Sequence, residues 1–71
     1  MFAYQLTSLT PRQTEVLKLV ALGFSTKEIA FKLNIAFKTA TCHRHGVMQK
    51  TRSRNTADMT RFAIRERLIE P

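Results

Sequence analysis

The stretch from Thr26 to His45, TKEIAFKLNIAFKTATCHRH, constrains this chain more than any other. Ile29, Ala30 and Leu33 recur at helical spacing, Asn34-Ile35-Ala36 interrupts them, and a second helical pattern then runs to about Thr51. Two helices joined by so short a turn must cross at a large angle, which is the helix-turn-helix arrangement. Ala30 is small where the two helices come closest. Asn34 is one of the few non-glycine residues that tolerates a left-handed conformation, and Ile29, Leu33, Ile35 and Val47 supply apolar contacts beneath the turn.

The second helix of the pair carries the functional information. At about 100° per residue, Lys38, Thr41, Cys42, His45, Gln49 and Arg52 share one face, while Ala40, His43, Val47 and Thr51 share the opposite one. Arg44 and Lys50 lie on opposite flanks. A small, mostly apolar inner face, a polar outer face and basic edges are what a helix lying in a DNA major groove requires.

Charge placement supports a polyanionic partner. The 71 residues carry 12 Lys and Arg against 5 Asp and Glu, a net charge of +7. No acid occurs between Glu28 and Asp58, whereas Lys32, Lys38, Arg44, Lys50, Arg52 and Arg54 do. A merely solvated surface would interleave both signs. The length allows one small domain with three or four helices and a thin core, and a hydrophobic content of 44% is enough to fold it. A single cysteine excludes an internal disulfide framework and fits a reducing compartment. No stretch reaches the ~18 apolar residues of a membrane span, and the first residues lack the charged start and apolar run expected of a signal peptide. A cytoplasmic, nucleoid-associated protein is expected, with no membrane partner and no cofactor.

Along the chain, residues 1–8 (MFAYQLTS) read either as a tail over the core or as the stub of a linker, ahead of a domain spanning 9–71. Thr10-Pro11-Arg12-Gln13 is a helix start, with Thr10 as cap, Pro11 at the first helical position and Gln13 completing a capping box. That first helix presents Val16, Leu17, Val20 and Ala21 on one side and stops at Gly23, with Phe24 folding back over its last turn. Ser25 and Glu28 form a second capping box opening the second helix. The third helix starts at Ala36 without a capping side chain and carries Gly46 in its middle. Each feature costs about 1 kcal/mol, so contacts from elsewhere or DNA itself must supply the difference. Asn55 caps a fourth helix with Asp58 in its first turn, running to about Ile69. It is apolar on two sides: Met59, Phe62, Ala63 and Ile69 on one, and Ala57, Ile64 and Leu68 on nearly the opposite one. A terminal helix of a small domain buries one face internally, so the surplus face suggests a dimer contact. The fold expected is an all-α, four-helix bundle containing a helix-turn-helix without a wing.

These residues resemble the LuxR/FixJ-type, GerE-like DNA-binding domain of bacterial transcription regulators. The matching segments are Leu9-Thr10-Pro11-Arg12-Gln13, Glu15-Val16-Leu17, Gly23, Lys27-Glu28-Ile29-Ala30, Leu33, Ile35, Lys38-Thr39, His43-Arg44, Val47-Met48, Lys50, Arg54-Asn55 and Ala57-Asp58. The resemblance covers about residues 9–69. It implies a two-fold dimer on an inverted-repeat DNA site, with the third helix in the major groove and the fourth at the dimer contact, where Ala57, Ile64 and Leu68 lie. It places base reading on Thr41, Cys42 and His45. Phosphate contacts fall on Lys27, Lys38, Thr39, Arg44, Lys50 and the start of the second helix. The chain departs from the pattern at Ala36 (usually Ser), at Ala40 (usually a larger aliphatic residue) and at Thr51-Arg52-Ser53 (usually Leu-Gly-Val), which implies a leaner core around the third helix.

Lys38, Arg44 and Lys50 supply charge that releases counterions without sequence preference, whereas Thr41 and His45 can hydrogen-bond base edges and Cys42 or the Thr41 methyl can meet a thymine methyl. Catalysis and metal binding are not expected. Cys42 and His45 face away from His43, there is no second cysteine, and no carboxylate lies near in sequence. His43 reads as a packed histidine bonded to the scaffold, with a phosphate contact as the other reading. The alternative function is a protein-interaction module of the same fold that engages another regulator or RNA polymerase. The chain reads equally as a stand-alone regulator or as the response-regulator effector domain of a longer protein.

Overall fold

A computed structural model describes residues 9–69; the expectation for the segment 1–8 lies outside them. Among the described residues four helices form: α1 (Pro11–Ala21), α2 (Thr26–Leu33), α3 (Phe37–Thr51) and α4 (Thr56–Arg65). The all-α, four-helix expectation holds. Both capping boxes are closed as the sequence predicts. The Thr10 N–H donates to Gln13 Oε1 at 3.0 Å and the Gln13 N–H to Thr10 Oγ1 at 3.0 Å. The Ser25 N–H donates to Glu28 Oε1 at 2.8 Å and the Glu28 N–H to Ser25 Oγ at 3.1 Å. At α4, Asn55 Oδ1 accepts from the Asp58 N–H, while Asp58 Oδ2 accepts from the Arg54 N–H. That N–H, followed by the Arg61 guanidinium, holds the Asp58 carboxyl below the usual carboxylate range.

All four helices end in the same way. In each, a residue just past the last turn donates its N–H to a carbonyl three residues back, and the next residue donates to one five back, the pattern of a Schellman closure. The pairs are Gly23 to Val20 with Phe24 to Leu19, Asn34 to Phe31 with Ile35 to Ala30, Arg52 to Gln49 with Ser53 to Met48, and Arg67 to Ile64 with Leu68 to Ala63. The turning residue has positive φ each time: 100° at Gly23, 56° at Asn34, 56° at Arg52 and 60° at Arg67.

The last closure corrects one expectation. The apolar spacing carries the fourth helix to about Ile69, but it ends at Arg65, because Arg67 turns left-handed and the Leu68 N–H folds back to Ala63. Helical spacing does not apply beyond that point. Leu68 therefore leaves the outer face assigned to it and packs, half-buried, against the core with Ile69.

The core is built from Leu9, from Val16, Leu17 and Val20 of α1, Ile29 of α2, Val47 of α3, and Met59, Phe62 and Ala63 of α4. α1 is the hub, packing mainly against α4 and α3, while α2 packs chiefly on α3. The polar departures Thr51 and Ser53 are also buried. Thr51 Oγ1 donates to the Val47 carbonyl at 2.8 Å and lies 2.7 Å from Ser53 Oγ, so the two hydroxyls satisfy each other's hydrogen bonding. Between them Arg52 holds a left-handed conformation that costs a side-chain-bearing residue about 1–2 kcal/mol. Glycine relieves that strain but loses more chain entropy on folding. Arg52→Gly is expected to raise stability by about 1 kcal/mol, which for a domain this small is about 4–8 °C in melting temperature. A calorimetric melt checks it, and an unchanged or lower midpoint would show that Arg52 makes a compensating contact.

Candidate nucleic-acid interface

The two faces expected on α3 are present. Ala40, Val47 and Thr51 are buried, while Lys38, Thr39, Thr41, Cys42, His45 and Gln49 are exposed. The proposed readers Thr41, Cys42 and His45 thus stand together on one solvent-facing side. Thr41 Oγ1 donates to the Phe37 carbonyl at 3.0 Å, which leaves the hydroxyl oxygen as an acceptor toward solvent. Cys42 is a free thiol on the same surface. His43 is half-buried on the inner side. Among the described residues no group of His, Cys, Asp and Glu could hold a metal ion.

Of the five residues assigned to phosphates, Lys27, Lys38, Thr39 and Lys50 are exposed and Arg44 is half-buried. Arg44 and Lys50 are tied into the fold. Arg44 reaches α4, where Nη2 donates to Thr56 Oγ1, and Nη1 lies 3.8 Å from Met48 Sδ. Its guanidinium lines a recess together with Ser25 and Thr26 at the start of α2 and Thr56 at the start of α4. Two helix N-termini and a cation, which favour an anion, thus share one concavity with Glu28, whose carboxylate already serves the start of α2. Lys50 reaches α1, its Nζ donating to Gln13 Oε1 at 3.0 Å. The start of α3 completes the set. Ala36 provides no side-chain cap, and the turn it opens carries Lys38 and Thr39.

Sequence reasoning misses two residues that position this face. Thr56 stands out in no sequence pattern, although it anchors Arg44. Gln13 reads as a capping residue alone, yet the same side chain braces α3. Besides accepting from Thr10 and Lys50, its amide sits against Gly46, where an added Cβ would lie 2.5 Å from Nε2. Gly46, a helix-weakening residue by propensity, is therefore the point where α1 meets α3. The signal for that approach is a glycine in the middle of a helix, one turn before Lys50.

A helix pair joined by a three-residue turn, with a polar, basic side of its second helix facing solvent and the opposite side buried on a small core, defines a helix-turn-helix DNA-binding domain. The family described as bacterial regulatory proteins, luxR family (GerE), matches residues 7–63. The chain belongs to that family, as its resemblance to GerE-like domains implies, and is a DNA-binding regulator domain. It is 34% identical over 62 residues to the oxygen regulatory protein NreC of Staphylococcus carnosus, covering 87% of this chain and 29% of that protein. The oxygen regulatory protein NreC of Staphylococcus aureus strain JH9 matches with the same identity and coverage. The chain thus spans less than a third of the length of these curated relatives. No solved structure matches it. Among the described residues no helix is long and apolar enough to cross a membrane.

The Gln13 brace makes a quantitative expectation. Gly46→Ala gains about 1 kcal/mol of helix propensity but must displace the Gln13 amide, with the cap and the Lys50 bond it holds. In the wild-type background the substitution is expected to be neutral or destabilising. In a Gln13→Ala background it is expected to stabilise by about 1 kcal/mol, a coupling that a double-mutant cycle reads directly by denaturant unfolding. Equal effects in both backgrounds would remove Gln13 as the reason for the glycine.

Proposed function

We propose that this domain is the sequence-reading part of a transcription regulator that binds an inverted-repeat DNA site as a dimer, with α3 in the major groove. The observation that carries the reading is the exposed side of α3, where Lys38, Thr41, Cys42 and His45 stand opposite the buried Ala40, Val47 and Thr51, in a segment without a single acid from Ile29 to Ala57. Thr41, Cys42 and His45 read base edges: the Thr41 oxygen as acceptor, His45 through its ring nitrogens, and Cys42 by apolar contact. Lys27, Lys38, Thr39, Arg44 and Lys50 take phosphates. The first turn of α3, whose N–H groups no side chain caps, receives phosphate oxygens, and so does the recess that Arg44 shares with the start of α2. Cytoplasmic location at the nucleoid follows from such a partner.

Dimer formation uses the outer side of α4. Ala57 is exposed and Ile64 half-exposed there, opposite the buried Met59, Phe62 and Ala63. Leu68, packed against its own core, is not part of that surface. Two copies paired in this way place their α3 helices about one DNA turn apart, roughly 10 base pairs. The length of the NreC relatives supports reading the chain as the effector part of a longer regulator whose remaining segment controls it. Contact with RNA polymerase would convert binding into activation.

Selection of the purified chain against a random DNA pool tests the proposal; recovery of a two-fold symmetric motif is the expected result, and binding without any motif would reduce the function to phosphate attraction. Lys38→Ala should weaken binding to all sequences alike and lower the salt slope by about 1 per site, whereas His45→Ala should shift preference at one base position by about 1–3 kcal/mol. Uniform loss for His45→Ala would remove that residue from base reading. Ile64→Glu is expected to abolish two-site cooperativity while the monomer still melts as the parent does. Cooperative binding retained by Ile64→Glu would place the pairing surface elsewhere.

A further inference from the structure

The outer side of α2 carries an apolar feature that DNA reading does not use. Ile29 and Ala30 are buried and Leu33 is half-buried, so Phe31 projects away from the core and is 88% exposed. Singly exposed apolar residues are ordinary, but this one is not single. Phe31 borders a shallow groove of about 690 Å³ that Phe24, Lys27, Glu28 and Lys32 also line. Phe24 is half-buried and packs against the core from the α1–α2 junction. The Lys32 ammonium lies 4.5 Å from the centre of its ring. The groove thus presents the open Phe31 ring beside a Phe24 ring covered by Lys32.

We propose that this groove docks an acidic amphipathic helix of a partner protein. Charge selects the occupant. The one acid of the groove, Glu28, is turned into the capping box, its Oε1 accepting from the Ser25 N–H at 2.8 Å, where it offsets the positive end of α2. Lys32, together with Lys27 at the end nearest the DNA face, sets the sign of the rim. A second copy would bring the same lysines against themselves, on a chain of net charge +7. A phosphate backbone would satisfy the lysines and leave the Phe31 ring without an apolar partner. A helix with apolar residues on one side and carboxylates on its flanks satisfies both, in the helix-in-groove mode of recognition. Phe31 and Phe24 anchor the apolar side, and displacement of Lys32 from the Phe24 ring toward a carboxylate opens the floor.

The test titrates the full chain with a synthetic amphipathic peptide of about 18 residues, long enough for helix formation on docking, bearing Leu on one face and Glu on the other. A control peptide has Lys in place of every Glu. NMR signals of the phenylalanine rings are followed. The acidic peptide is expected to shift Phe24 and Phe31 and to bind at least tenfold more tightly than the basic one. Phe31→Ser and Lys32→Glu should each weaken it at least tenfold, and Phe31→Ser, which changes no charge, should leave melting temperature and DNA affinity unchanged. Equal affinity for the two peptides, or no shift of either ring, overturns the proposal. A comparable loss of DNA affinity in Phe31→Ser would assign the surface to nucleic acid instead. Loss of self-association by that variant in sedimentation would assign it to a second copy. Because Phe31 and Lys32 take no part in the DNA face described above, failure here leaves the DNA reading intact.

Discussion

The close approach of α1 to α3 at Gly46 is the constraint on which the functional face depends. α3 has little to hold it in place by itself: no side-chain cap at Ala36, a glycine in its middle and small residues at Ala40 and Val47 on its buried side. Its position is set from outside. The Gln13 side chain closes the start of α1, fills the space over Gly46 and receives Lys50. Arg44 ties the other flank to the start of α4 through Thr56. The helix proposed to enter DNA is thus oriented by polar braces on both flanks and by a thin apolar seam beneath. Polar braces are directional and fix rotation about the helix axis more narrowly than apolar contacts of the same extent.

The end of α3 shows how a polar substitution is accommodated in a core with little to spare. Thr51 and Ser53 stand where the family resemblance leads one to expect Leu and Val. Burying two hydroxyls without partners would cost several kcal/mol. The cost is offset because each is the other's partner and the Val47 carbonyl takes the remaining bond. Among the described residues no buried side-chain polar atom lacks a hydrogen bond. The core around α3 is leaner in apolar surface, as expected, yet its polar groups are complete.

Legibility from sequence follows the range of the interaction. Caps, left-handed turns and buried faces are decided within one or two helical turns. Thr10 with Gln13, Ser25 with Glu28, Asn34 and Asn55 are therefore legible in the sequence alone. So is the division of α3 into inner and outer sides, because a face is a property of spacing. Interactions between distant segments are not legible: Lys50 with Gln13 and Arg44 with Thr56 join residues that no periodicity relates. The overlong fourth helix has a physical cause as well. Apolar residues at Leu68 and Ile69 continue a helical pattern, but the left-handed turn at Arg67 carries them back onto the core without continuing the helix. Arginine gives no sign of such a turn, whereas the glycine at position 23 does.

The uncapped start of α3 bears on how its first amides exchange with solvent. α1, α2 and α4 have side chains closing their first turns, and every helix has a locally bonded end. The first turn of α3 alone relies on solvent for the N–H groups that precede its own ladder. Those N–H groups have no intrahelical partner, so their exchange with solvent needs no opening of the Phe62 and Leu17 core. An anion arriving at this turn meets N–H groups that no side chain occupies. A phosphate seated there, as in the proposed complex, would protect those few amides directly, whatever it adds to the stability of the domain as a whole.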